Sequence, residues 1–133
     1  MMKKFNVINV AIIGCGKIAE KHALILTSKI FKQFRLVGVC DTNKKKAITF
    51  GKKFKIKNFN NIDTLLESTK ANLAVICTSS GNHYLNALTV SKYKIDLVIE
   101  KPISLNLLDA NKIVRIFNND NKKLFVVMQN RLN

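Results

Sequence analysis

Val7-Ile8-Asn9-Val10-Ala11-Ile12-Ile13-Gly14-Cys15-Gly16-Lys17-Ile18-Ala19 is the stretch that decides the architecture. Val7 to Ile13 is a largely β-branched apolar run, the pattern of a strand buried on both faces. Gly14-x-Gly16-x-x-Ala19 ends it, and a helical pattern follows. Each small residue has a physical role. Gly14 permits a tight turn, Gly16 lets backbone amides approach a pyrophosphate, and Ala19 lets the helix pack closely on the strand. The helix start, with Lys17 and Ile18, offers unpaired N–H groups and a positive dipole end. Asp41 closes the next strand pattern, about 22 residues past Ala19. An acid at that spacing can grip ribose hydroxyls. It would also repel a 2′-phosphate, so NAD is favoured over NADP. Lys44 to Lys46 leave NADP open, because a lysine can reach such a phosphate. The plain alternative is that Asp41 is an ordinary turn residue.

Strand and helix patterns alternate outward from this unit. Helices are predicted from the glycine turn to about Lys29, over Lys44 to Phe54, Asp63 to Ser68 and Asn82 to Lys92, and from a Ser104 cap to about Asn118. Ala19, Ala23, Leu26 and Ile30 should share the inner side of the first. Strands are predicted at Arg35 to Cys40, around Phe59, and at Leu73 to Cys77, Ile95 to Ile99 and Leu124 to Met128. Such alternation predicts an α/β fold, a doubly wound parallel sheet with helices on both faces. Right-handed crossovers and a cofactor crevice select the Rossmann strand order 3-2-1-4-5-6.

The chain has 133 residues, the size of one domain, and 47% are hydrophobic, enough for a real core. Its formal net charge is +15, which raises the possibility of a nucleic-acid partner. Twenty of the 23 basic residues are Lys, whereas base and phosphate readers favour the Arg fork. Sixteen Asn and fifteen Ile accompany them, as AT-rich codons would dictate. The densest cluster, Lys44 to Lys46 with Lys52, Lys53, Lys55 and Lys57, reads as a solvated face or as an attractor for an anionic cofactor. No nucleic-acid partner is expected.

Cys15, Cys40 and Cys77 have no metal-ligand spacing, and no metal is expected. Each falls at or just past a strand end and reads as a small buried thiol of a reducing cytosol. Ile12-Ile13-Gly14-Cys15 also resembles a lipoprotein cleavage box behind Lys3 and Lys4. The apolar stretch is short and carries Asn6 and Asn9, so strand and turn fit better. No run reaches the ~18 apolar residues of a membrane span. A cytoplasmic protein without a membrane partner is expected.

Glu100-Lys101-Pro102, after the fifth strand, joins the glycine turn, His22, Asp41, Thr78 and His83 in a wider pattern. Together they resemble the glucose–fructose oxidoreductase, inositol dehydrogenase and rhizopine-catabolism family (Gfo/Idh/MocA). The resemblance covers essentially the whole chain, but only the first domain of that family. It implies a nicotinamide-dinucleotide-binding Rossmann domain over residues 1–128. Residues 129–133 would begin the connection to a second α/β substrate domain that this chain does not contain. The family moves a hydride between NAD(P) and a sugar or cyclitol carbon, and its full-length members are often homo-oligomers. The resemblance therefore implies an enzyme, an NAD(P)-dependent sugar dehydrogenase, whose isolated first domain turns over slowly or not at all.

Lys101 is the expected catalytic residue. It sits at the C-terminal edge of the sheet, where ligands of open α/β sheets bind. Partial desolvation would ease proton exchange near neutrality. It would hydrogen-bond the hydroxyl being oxidised, touching both substrate and cofactor, and the family often has a cis bond before the proline. The alternative is a lysine at an exposed strand end. Glu100 is expected to pair with Lys101 or support the loop. Thr78 and Asn82 are expected ribose or diphosphate contacts. Ser79 stands where family members often carry Pro, which leaves that loop freer. His83 would open the next helix beside the cofactor, though a capping or packing role fits it better than catalysis. His22 reads as a packed helix residue. Met128 to Asn133 is similar to the Gln-Asn-Arg stretch of members that oxidise nucleotide-linked uronic acids at C3 for lipopolysaccharide sugars, UDP-N-acetylglucosaminuronate among them. Gln129 would then lie near nicotinamide, and Arg131 would suit the substrate carboxylate. A domain-exit segment is the plain reading of the same residues. The rival to an enzyme is a non-catalytic dinucleotide-binding module or a decayed gene fragment.

Overall fold

The computed structural model describes residues 6–128. Six strands, β1 (Ile8–Ile13), β2 (Phe34–Cys40), β3 (Lys57–Phe59), β4 (Leu73–Ile76), β5 (Asp96–Ile99) and β6 (Leu124–Val126), form one sheet in the order β3-β2-β1-β4-β5-β6. Every pairing is parallel. The helices are α1 (Lys17–Leu26), α2 (Lys44–Phe54), α3 (Ile62–Thr69), α4 (His83–Ser91) and α5 (Leu107–Asn119). The expected Rossmann order is the observed one.

Period-2 alternation along β1 builds two separate cores. Val10 and Ile12 join Ala19 and Ala23 of α1 and Phe50 of α2 on one face. Ala11 and Ile13 join Leu65 of α3, Ala87 of α4 and Phe117 of α5 on the other. Ala19 and Ala23 have no exposed surface, so α1 lies directly on the sheet. Its N-terminus is thereby brought to the C-terminal end of β1.

Two local expectations are corrected. The first helix ends at Leu26 rather than near Lys29. Thr27 Oγ1 donates to the Ala23 carbonyl at 2.7 Å and closes the last turn. Leu26 packs on the core, but Ile30 is 81% exposed. Ser104 does not cap α5. The cap is Asn106, whose side chain accepts from the Asp109 amide at 2.9 Å, while Ser104 Oγ donates to the Asn106 carbonyl. Asn outranks most residues as a cap for this reason. Four non-glycine residues hold left-handed backbone at or past helix ends: Lys55, Lys70, Lys94 and Asn121. No helix among the described residues is long and apolar enough to cross a membrane.

Candidate functional site

The C-terminal ends of β1, β2 and β4 meet where the strand order reverses. Gly14 turns the chain immediately after β1, with φ +97°. A Cβ there would stand 2.9 Å from the carbonyl carbon and oxygen of Cys77. Any side chain would meet a disfavoured backbone conformation and the backbone after β4 together. The Gly14 amide donates to the Cys40 carbonyl at 2.8 Å, which pins the turn to β2. Gly16 is different, since nothing lies within 4 Å of where its Cβ would be. It caps α1 without any side-chain oxygen. The first-turn amides of α1 therefore lack a side-chain acceptor and adjoin open space, an arrangement suited to a diphosphate.

Asp41 follows β2 directly. Its Oδ2 accepts from the Cys15 amide at 2.9 Å and its Oδ1 from the Asn43 amide at 2.8 Å. These bonds tie the glycine turn to the entry of α2 and fix the carboxylate. Each oxygen keeps a further lone pair for a ribose hydroxyl. The residues present thus fit a nicotinamide dinucleotide on two counts, the open cradle over Gly16 and the oriented acid at its side.

A cleft of about 570 Å³ lies along this edge, within the range of small-ligand sites. Of the expected residues, Gly14, Gly16, Asp41, Thr78 and Asn82 line it. Thr78 Oγ1 accepts from Asn86 Nδ2 at 2.8 Å, and Asn82 Nδ2 donates to Ser79 Oγ at 2.9 Å. Sequence reasoning missed Asn60, Asn61, Asn86 and Thr89, which complete the walls. Asn60 and Asn61 follow β3, so the rule that ligands collect at strand C-termini could have found them. Lys17 lines a second hollow of about 420 Å³ beside the glycine turn, with Lys45, Lys46 and Lys53. Lys46 borders both.

Other expected residues lie outside the cleft lining. Ile18 packs on the α1 core. His83 does open α4, but its ring is buried, 1% exposed. Its Nδ1 lies 2.7 Å from the Pro102 carbonyl oxygen and its Nε2 2.9 Å from that of Thr78. Glu100 is buried and pairs with His22 rather than Lys101, the Nε2–Oε1 distance being 2.7 Å. Lys101 is exposed, so the partial burial expected of it is not supplied by the described residues. The peptide between Lys101 and Pro102 is cis. Gln129 and Arg131 lie outside the described residues. Burial pushes the thiols of Cys15, Cys40 and Cys77 up to about 12, with Asp41 adding to the effect at Cys15. None is a thiolate near neutrality, which removes them as nucleophiles.

The oxidoreductase family with an NAD-binding Rossmann fold (GFO_IDH_MocA) matches residues 8–128. The chain belongs to this family. It is 34% identical over 103 residues to the glucose-6-phosphate 3-dehydrogenase of Bacillus subtilis, a match covering 77% of this chain and 28% of that one. Two WlbA dehydrogenases, each solved with NADH and UDP-GlcNAcA, superpose closely. The Bordetella pertussis enzyme has a TM-score of 0.90 at 28% identity, covering 96% of this chain and 38% of that one. The Chromobacterium violaceum enzyme has a TM-score of 0.88 at 28% identity, covering 98% and 37%. The chain therefore spans about a third of the length of these GFO_IDH_MocA relatives. Its fold is the NAD-binding Rossmann domain of the family.

Proposed function

We propose that this chain is the cofactor-binding part of a longer dehydrogenase that oxidises a hydroxyl carbon of a sugar or nucleotide sugar. The observation that carries the reading is the pairing of an open glycine cradle with Asp41 held in place by two backbone amides. Gly14, Gly16 and the α1 amides hold the diphosphate. Asp41 orients the adenosine ribose, and Thr78 and Asn82 stand along the same cleft. Bound nicotinamide supplies reversible two-electron transfer with the hydroxyl-bearing carbon. Lys101, exposed at the sheet edge, holds that hydroxyl and takes up or relays its proton. Arg131 and Gln129 serve the substrate carboxylate and the nicotinamide side.

Two WlbA structures with UDP-GlcNAcA support a nucleotide-linked uronic acid as substrate, and we place its oxidation in lipopolysaccharide sugar synthesis. Leu105, Leu107 and Leu108 are 71%, 73% and 82% exposed, which supports a second domain or subunit packed nearby. We place the whole enzyme in the cytoplasm as a homo-oligomer. This part alone turns over slowly or not at all.

Titration with NADH and, separately, NADPH tests the cofactor site. Saturable NADH binding is expected, weaker for NADPH. Asp41→Ala should weaken NADH about tenfold or more, the loss of hydrogen bonds to a charged acceptor. A folded chain that binds neither dinucleotide would sink the reading.

A further inference from the structure

The chain contains two histidines, and they bracket the Glu100-Lys101-Pro102 segment. His22, on α1, bonds Glu100 Oε1 at 2.7 Å. His83, on α4, reaches the Pro102 carbonyl at 2.7 Å with one nitrogen and the Thr78 carbonyl at 2.9 Å with the other. One helix packs on each face of the sheet. Lys101 stands between the two braced residues and is exposed. We propose that His22 and His83 are positioning residues that hold Lys101 from both sides, with His83 bridging the loops after β4 and β5. The assignment of a reaction to Lys101 rests on the function proposed above, while the brace itself does not.

The His83 ring is 1% exposed, and its two nitrogens lie 2.7 and 2.9 Å from carbonyl oxygens of two different loops. The loop carrying Thr78, which lines the cleft, is thereby tied to the loop carrying Lys101.

The test follows the Lys101 backbone amide by NMR in the nitrogen-15-labelled chain and in its His22→Gln, His83→Gln and His83→Ala variants. All three should shift or broaden it while the Gly14 amide stays in place. His83→Gln should do so least, because its amide can still donate to one loop. An unmoved Lys101 amide in a folded variant overturns the brace. Should His83→Ala not fold, the two Gln variants still decide. A chain whose Lys101 amide responds as expected but that binds no NADH keeps the brace and overturns the proposed function.

Discussion

The glycine turn after β1 and the Glu100-Lys101-Pro102 segment after β5 occupy the same edge of one sheet, yet they are held by different means. The turn is held by backbone contacts and by one nearby carboxylate. Gly14 abuts the Cys77 carbonyl and bonds the Cys40 carbonyl, and Cys15 gives its amide to Asp41. The Lys101 segment is held by side chains that arrive from helices distant in sequence, His22 lying 78 residues from Glu100 and His83 19 from Pro102. Such a site tolerates changes of side chain except at Asp41 and where a side chain cannot exist at all. A side-chain-built site depends on particular rings.

Alkaline pH should produce the largest effect and separate the two regions. All three thiols flank the glycine turn, and the Lys101 segment has none. An unfolded thiol, with its ordinary value of 9.0, loses its proton before a native one raised to about 12. Between those values the native state holds more protons, so rising pH favours unfolding. Stability is intact below pH 9 and is lost toward pH 12. The buried Cys40 and Cys77 should each contribute about 1 kcal/mol per pH unit across that window. Urea unfolding at a series of pH values checks this, and an unchanged slope in Cys40→Ala would refute the assignment. Gly14→Ala comes next. Strain at φ +97° and the collision with Cys77 should cost about 2 kcal/mol or more and abolish NADH binding. Wild-type stability in the Ala variant would show that the turn is freer than its contacts imply. The smallest effect belongs to the loop after Lys101. Asn106→Ala should cost about 1 kcal/mol, whereas Ser104→Ala should cost a few tenths at most, measured by the same unfolding curves. Equal losses would return the capping role to Ser104.

The same contrast explains what was legible in the sequence. Sheet order, the glycine turn and Asp41 are written in short-range spacing and period, so they could be read directly. Thr78 and Asn82 were accessible through family resemblance and lie on the cleft. The His22–Glu100 contact has no local signal, because packing of α1 on the sheet creates it. Asn60, Asn61 and Asn86 were hidden in a chain with sixteen Asn, where the residue type carries little information. The cap of α5 was misplaced by two residues because Ser104 and Asn106 are both good cap formers, and only the backbone decides between them.

Lysine 55, lysine 70 and lysine 94 occupy left-handed positions at the ends of helical segments, where glycine is the usual occupant. Each such residue gives up about 1 kcal/mol relative to glycine. The chain has five glycines in all, and the turn after β1 uses two of them, Gly14 where no substitute fits. Three other helix ends place lysine where glycine would relieve strain. Those positions lie outside the cleft lining, so a hardier version of the scaffold is reachable without altering a residue of the dinucleotide cradle.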